Sequence, residues 1–228
     1  MHSIGGLHFD PETTQAIERL LLERVGELIA EEGLCAFEMP RTAAVAHEAG
    51  HAIVGRYCFE ARSCEFFRCA VPYGILRRAG CSVWGGLTKW SQPHPFGTTS
   101  GPIDFATIAT PNILAQISIV IAGAVAEVVL DPAGCRAGFS IDEIIVGQLF
   151  CNQLGARLGI PGEKRWGICW WRTASVLEHN ERTARALMKK LDAAGIVRRK
   201  KLTGLTADVR KILPDPFDVI NEGWRPNI

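Results

Sequence analysis

Residues 44–55 read AVAHEAGHAIVG, with the pattern His47-Glu48-Ala49-Gly50-His51 at their centre. The segment from Ala43 to Tyr57 is rich in alanine and other apolar residues, which predicts a buried helix. Residues four apart on a helix lie on one face, so His47 and His51 can both reach one metal ion. Zinc accepts imidazole nitrogens at about 2.0–2.1 Å and prefers four ligands. The pattern therefore predicts a zinc site on a buried helix.

Glu48 follows the first histidine and lies on an adjoining part of the helix surface. From there its carboxylate can reach a zinc-activated water without binding the metal itself. As a general base it would take a proton from that water, and it could later return the proton to a leaving amine. We therefore predict that Glu48 is the catalytic residue of a zinc hydrolase that cleaves peptide bonds.

A catalytic zinc site ordinarily has three protein ligands and one open position. The third ligand must come from outside this helix, and the residues alone leave six candidates open: Glu127, Asp131, Asp142, Glu143, His94 and His179. His94 lies in a proline-rich stretch, and His179 lies on the polar side of a predicted helix. Both histidines are therefore expected to face solvent.

The rest of the chain predicts one mainly helical domain with a small sheet. Helices are predicted over residues 10–33, 43–57, 110–130, 141–158, 166–194 and 206–213. Short strands are predicted over residues 64–71 and 81–90, and a loop over 91–107. No linker or repeat divides the chain, so we expect a single domain over residues 1–228. Its core covers about 40–212, with an additional N-terminal helix at 10–33 and a tail at 214–228.

Composition excludes several classes of function. The formal net charge of +1 argues against a nucleic acid partner or an anionic membrane surface. The apolar stretch from Ile113 to Leu130 contains Gln116, Ser118 and Glu127 and barely reaches bilayer length, so we expect a central core helix instead. The eight cysteines form no C-x-x-C pair, and no secretory signal opens the sequence. Reduced thiols and a cytoplasmic location are expected.

Four segments are similar to the protease domain of FtsH, a membrane-bound ATP-dependent zinc protease. They are residues 44–55, Gly86-Leu87-Thr88, residues 121–127 ending in Glu127, and residues 138–142 ending in Asp142. With residues 186–205, the similarity covers most of the chain between 40 and 210. It implies a mainly α (α+β), zincin-like metallopeptidase fold, with a small β-sheet beside the active-site helix.

The resemblance also implies roles for particular residues. Asp142 becomes the third zinc ligand beside His47 and His51, the alternative being an ordinary acid at a helix start. Glu127 would hold a ligand imidazole by its other ring nitrogen, the alternative being a polar end to an apolar helix. The strand at Gly86-Leu87-Thr88 would bind an extended peptide at its free edge, the alternative being a half-buried core strand.

The chain departs from FtsH in lacking a Walker-type ATPase segment and a convincing membrane span. We therefore expect a stand-alone protease acting on unfolded protein or peptide, or one that uses a separate ATPase unfoldase; the resemblance implies a hexamer. The basic run Arg198–Lys201 is interpreted as a solvated turn rather than a nucleic acid contact. Two alternatives remain open: another zinc amidohydrolase, and a catalytically silent zinc-binding interaction protein whose fourth position is filled by a side chain such as Cys135.

Overall fold

The computed structural model describes residues 3–4, 7–58, 65–70, 76–78, 81–91, 110–158 and 162–210. This part of the chain is mainly helical, which confirms the predicted class. The helices are α1 (Pro11–Glu32), α2 (Arg41–Cys58), α3 (Thr110–Val120), α4 (Ala122–Leu130), α5 (Ile141–Leu158), α6 (Gly162–His179), α7 (Glu181–Ala194) and α8 (Arg199–Leu205), with a short 3-10 helix at Leu34–Phe37. The strands are β1 (Ser3–Ile4), β2 (Leu7–His8), β3 (Glu65–Ala70), β4 (Leu76–Arg78), β5 (Cys81–Val83), β6 (Leu87–Ser91) and β7 (Ile196–Arg198).

Helix α1 begins and ends where the sequence predicts. Asp10 is its N-cap, and the Asp10 Oδ1 atom accepts a hydrogen bond from the Thr13 backbone N–H at 2.8 Å. Gly33 ends the helix with a positive φ of 73°, a conformation that costs glycine little. Ile17 and Leu28 are its buried residues, and α1 packs against α5 and the 3-10 helix.

Helix α2 is the centre of the fold because it is buried on two sides. One side contributes to the main hydrophobic core, which α2 shares with α3, α4, α5 and α6; its α2 members are Ala46, Ile53, Val54 and Tyr57. The other side packs on a smaller core with α7, β7 and α8; its α2 members are Ala44, Val45, Ala49 and Ala52. A helix that is apolar almost all round in this way belongs in the interior.

Gly50 lets α4 approach α2 closely. A Cβ atom at this position would lie 2.4 Å from the Ala126 Cβ atom and 2.5 Å from the Ala122 carbonyl oxygen. Both neighbours belong to α4, and one is backbone that cannot move aside. The glycine inside the His47–His51 pattern therefore fixes the distance between the helix that carries the histidines and its main partner.

Three strands lie beside α2. β6 and β7 both pair with β3 in antiparallel fashion, in the order β6-β3-β7. β3 and β6 contact α2, and β6 lies at an edge among the described strands. Two further antiparallel pairs join β1 to β2 and β4 to β5.

Two of the predicted helices are interrupted. The predicted helix over 166–194 breaks at Asn180, whose buried side chain donates to the Val176 carbonyl and accepts from the Arg210 N–H at 2.7 Å. An asparagine that satisfies backbone groups in this way competes with the helix. The predicted helix over 110–130 is divided at Ile121, where ψ is 0°.

The C-terminal prediction was wrong in detail. Residues Arg199–Leu205 form helix α8. Thr206 ends this helix, and its hydroxyl donates a hydrogen bond to the Leu202 carbonyl oxygen at 2.9 Å. The predicted helix over 206–213 is therefore displaced toward the N-terminus, and residues 211–213 lie outside the described residues. Arg198–Lys201 are exposed, but they belong to the end of β7 and the start of α8 rather than to a turn.

No helix in the described ranges combines the length and the apolar character needed to cross a membrane. Among the cysteines whose side chains the structure describes, Cys35, Cys135, Cys151 and Cys169 are free thiols. Most of the predicted loop at 91–107, together with His94 and the tail at 214–228, lies outside the described residues.

Candidate metal centre

Three side chains converge at the middle of α2. His51 Nε2 lies 2.9 Å from Glu143 Oε1, His47 Nε2 lies 3.1 Å from the same oxygen, and the two Nε2 atoms are 3.1 Å apart. Among the described residues, this is the group of histidine, cysteine and acidic side chains that could hold a metal ion. The spacing of four residues on α2 brings the histidines together, as the sequence predicts.

The hydrogen bonds of the histidines determine which nitrogen faces the group. His47 Nδ1 lies 2.7 Å from Glu127 Oε1, and His51 Nδ1 lies 2.9 Å from the Ile119 carbonyl oxygen. Both partners can only accept, so each Nδ1 carries the hydrogen and donates it. Each Nε2 is then available for a proton or a metal ion, because the tautomer is set by the bond that the other nitrogen makes.

The three atoms fit a zinc ion. Ligands at about 2.0–2.1 Å around a tetrahedral zinc are about 3.3 Å from one another, and the observed separations are slightly shorter. Two neutral imidazoles and one carboxylate are also a donor set that catalytic zinc sites use. Glu143 Oε2 is buried and has no hydrogen-bond partner in the described part of the chain, so it too is available to a cation.

The negative charge of Glu143 favours a bound cation between this carboxylate and the imidazoles of His47 and His51. Burial raises the pKa of Glu143, but the charges and hydrogen bonds of His47 and His51 outweigh burial and lower this pKa to about 2. Burial lowers the pKa of His47. The negative charge of Glu143 and the hydrogen bonds to Glu127 and Glu143 outweigh burial and raise this pKa well above its usual value. The ionised Glu143 therefore attracts a cation, whether a proton or a metal ion.

The resemblance predicts Asp142 as the third member of this group, and the structure instead brings in the next residue, Glu143. Successive residues on a helix point about 100° apart, so only one of the two can face the histidines. Asp142 is exposed in the first turn of α5, where an acid is favoured by the helix dipole. Asp142 lies outside the three-residue group, and its role as a zinc ligand stays a prediction.

Glu127 lies against His47 on the Nδ1 side of its ring, where the resemblance places a carboxylate that would hold a ligand imidazole. It is buried in α4, and its Oε1 atom accepts hydrogen bonds from His47 Nδ1 at 2.7 Å and from the Ser140 hydroxyl at 2.8 Å. Gly123, one turn earlier on α4, makes room for the His47 ring: a Cβ atom there would lie 2.2 Å from His47 Cε1. The α4 surface is thus shaped around this imidazole.

Glu48 is buried beside β6 and lies outside the three-residue group. Thr88 Oγ1 donates to Glu48 Oε2 at 2.6 Å and lies 3.1 Å from the Glu48 carbonyl oxygen. A Cβ atom at Gly86 would lie 2.2 Å from Glu48 Cγ, so any side chain at this position would displace the Glu48 carboxylate. Burial raises the pKa of the Glu48 carboxyl.

The predicted substrate strand therefore contacts the predicted base. Of its three residues, Gly86 and Thr88 touch the Glu48 side chain, and Leu87 is 40% exposed. Neither a free edge alone nor a half-buried core strand alone describes this segment. Gly86 and Leu87 are exposed, whereas Thr88 is half-buried and donates to the Glu48 carboxylate.

The other candidate ligands lie elsewhere. Asp131 is the C-cap residue of α4, and His179 is exposed in the last turn of α6. Cys135, suggested as a fourth ligand, is not a member of the group. The pKa of its thiol is raised by burial and by the nearby Glu127 charge, which disfavours the thiolate that zinc binds.

Ser140 is part of the site network, although no sequence signal predicts this role. It lies one residue before α5 and is the one described non-glycine residue with a positive φ, 50°. A serine just before a helix start ordinarily predicts a cap, and nothing in the sequence indicates that its side chain turns back to Glu127.

No protein-family model matches this chain, and the search of curated proteins also found no match.

Proposed function

We propose that this chain is a zinc-dependent endopeptidase that hydrolyses peptide bonds in unfolded or flexible protein segments. One observation carries the proposal: His47 Nε2, His51 Nε2 and Glu143 Oε1 converge in one group, while Glu48 of the same helix lies outside it. Three ligands and a separate buried carboxylate are the parts that metal-assisted hydrolysis requires.

Zinc held by His47, His51 and Glu143 would act as a Lewis acid and activate a water molecule for attack on a carbonyl. The protein orients the ligands for this role. Glu127 and the Ile119 carbonyl accept the Nδ1 hydrogens, so both Nε2 atoms remain directed at Glu143. Such partners fix ring orientation and raise the basicity of the imidazoles.

Glu48 is proposed as the general base. Its burial raises the pKa of its carboxyl, which brings the group closer to the range in which a carboxylate exchanges protons at neutral pH. Thr88 donates a hydrogen bond to Oε2 of this carboxylate and so orients it. The oriented carboxylate would take a proton from the attacking water. The same carboxyl would then deliver that proton to the leaving amine.

The group is not fully enclosed by the protein. The side chains of His47, His51 and Glu143 are 15%, 13% and 16% exposed. A purely structural zinc site closes with four ligands and has no need of a nearby carboxylate base. This difference favours a catalytic role over the silent interaction protein.

An extended peptide would bind along β6. This strand lies at an edge among the described strands, and Thr88 within it contacts Glu48. Main-chain hydrogen bonds to such an edge bind a peptide with little dependence on its sequence. Leu87, 40% exposed, would contact a substrate side chain.

Several features implied by the FtsH resemblance stay predictions: the zincin-like identity of the fold, a hexamer, a separate ATPase unfoldase and a cytoplasmic location. The alternative of an amidohydrolase acting on small amides shares the same metal and base. It differs in substrate, so a peptide substrate and a small amide substrate distinguish the two.

The experiment that tests the proposal measures zinc content and cleavage of unfolded casein by the purified chain, with and without a chelator. The Glu48→Gln variant is the matched control, because it keeps the ligands and removes the base. We expect about one zinc per chain, as the three-ligand group requires, and chelator-sensitive cleavage that the control lacks.

The other outcomes have definite meanings. Zinc binding with hydrolysis of a small amide but not of casein would replace the endopeptidase with an amidohydrolase. Zinc binding with neither activity would favour the interaction protein. A chain that binds no zinc after reconstitution would remove the basis of the proposal.

A further inference from the structure

Ser140 holds a backbone conformation that serine rarely adopts. Its φ of 50° lies in the left-handed region, which costs residues with a Cβ atom free energy that glycine avoids. A glycine would serve the same turn with less strain. A strained residue that persists in a folded protein points to a use for its side chain.

The backbone around Ser140 is fixed on both sides. Gly138 N–H donates to the Ala36 carbonyl at 3.0 Å, and a Cβ atom at Gly138 would lie 2.6 Å from that oxygen. After the turn, Ile144 N–H donates to the Ser140 carbonyl at 2.9 Å and closes the first turn of α5. The position of Ser140 therefore sets where α5 begins.

The side chain of Ser140 contacts the metal-site network directly. Ser140 Oγ donates to Glu127 Oε1 at 2.8 Å and lies 3.1 Å from His47 Nδ1. Glu127 Oε1 and His47 Nδ1 are 2.7 Å apart. Three atoms from α2, α4 and the start of α5 thus form one compact triangle. Three residues further along, Glu143 reaches the two Nε2 atoms.

We infer that Ser140 is a positioning residue, whose strained backbone and hydroxyl together hold His47 and Glu143 in register for the metal. The hydroxyl holds Glu127 against His47 Nδ1, and the left-handed turn starts α5 where Glu143 can reach both histidines. The strain lowers the stability of the fold and improves the site. This inference rests on the proposed metal site and deepens it.

The test compares two variants that lose the same hydroxyl. Ser140→Ala retains a Cβ atom at the strained position, whereas Ser140→Gly relieves the strain. Thr13→Ala is the matched control, because Thr13 Oγ1 donates to the Asp10 carboxylate at 2.6 Å at the start of α1. It removes a hydroxyl-to-carboxylate hydrogen bond outside the site.

Three measurements apply to all variants and the wild type. They are the zinc dissociation constant by chelator competition, the visible spectrum of the cobalt-substituted protein, and the unfolding temperature of the metal-free protein. Both Ser140 variants should bind zinc about tenfold more weakly than the wild type, the usual scale for losing a group that holds a ligand. Their cobalt spectra should differ from the wild-type spectrum, because the spectrum reports the arrangement of ligands. Thr13→Ala should leave both readouts unchanged.

The unfolding temperatures test the strain. Metal-free Ser140→Gly should unfold about 2–4 °C above metal-free Ser140→Ala, the shift expected for relief of a left-handed residue in a chain of this size. Wild-type zinc affinity and cobalt spectra in both variants would overturn the inference and leave the proposed function standing. Equal unfolding temperatures in the two Ser140 variants would contradict the inferred backbone strain at this position. A wild-type chain with no affinity for zinc would overturn the metal site and this inference together.

Discussion

Glu143 Oε1 lies 2.9 Å from His51 Nε2, although the two residues are 92 positions apart in the chain. Glu143 belongs to α5, which packs on α3 and α4, and these helices in turn pack on α2. The group of possible ligands is therefore assembled by the packing of four helices. Any change that shifts one of these helices is expected to alter the arrangement of this group.

Replacing Glu143 tests which acid completes the site. Glu143→Ala removes the oxygen that lies near both Nε2 atoms and should weaken zinc binding by about tenfold or more. Asp142→Ala is the matched control, since it removes the adjacent, exposed acid and should leave zinc affinity close to that of the wild type. Chelator competition measures both. The reverse pattern would restore Asp142 as the ligand.

Glu48→Gln separates catalysis from metal binding. The amide has nearly the shape of the carboxylate but cannot accept a proton at neutral pH, so kcat/KM should fall by about 100-fold or more. Zinc content should not change, because Glu48 lies outside the ligand group. Peptide cleavage and metal analysis of the same preparation check both parts. Full activity in this variant would exclude Glu48 as the base.

Gly123→Ala should damage the site through packing alone. The added Cβ atom would lie 2.2 Å from His47 Cε1 and 2.5 Å from His47 Nε2, so the ring must shift. We expect a loss of about 1–3 kcal/mol in the free energy of unfolding, as for other overpacked core positions. Weaker zinc binding should accompany this loss.

The control for Gly123 is another helical glycine, Gly26 in α1. A Cβ atom at Gly26 would meet nothing within 4 Å. Gly26→Ala should therefore stabilise the chain by about 0.4–1 kcal/mol, because alanine has less backbone entropy to lose on folding. Urea unfolding measures both free energies. Equal effects of the two substitutions would contradict the close packing of α4 on His47.

Thr88→Val tests whether β6 orients the base. Valine has nearly the size of threonine but lacks the hydroxyl that donates to Glu48 Oε2 at 2.6 Å. Hydrogen bonds to charged groups contribute about 1.5–3 kcal/mol, so we expect kcat/KM to fall by about tenfold with zinc content unchanged. Thr88→Ser retains the hydroxyl and should keep most of the activity. Equal activity in both variants would remove the orienting role.

Much of the local structure follows from short-range signals. Asp10 and Gly33 mark the ends of α1, because a capping carboxylate and a glycine with positive φ act within one turn of the helix. The helix around His47 and His51 is equally local, because alanine favours helix and a spacing of four residues puts both histidines on one face. The breaks at Asn180 and Ile121 were missed. The Asn180 side chain binds the Arg210 backbone, 30 residues away, and no local signal reports such a contact.

The sequence by itself determined that His47 and His51 share a helix face and that Glu48 lies beside them, and it left six candidates for a third ligand, two of them histidines. Only the tertiary structure showed that Glu143 is the acid that lies against both histidines. The α5 sequence has apolar residues at Ile144, Ile145, Val146, Leu149 and Phe150, a face too broad to show whether position 142 or 143 turns inward. The rotation of α5 is set by its packing on α3 and by the strained turn at Ser140. These contacts join residues distant in the chain, so the choice of Glu143 is a property of the fold.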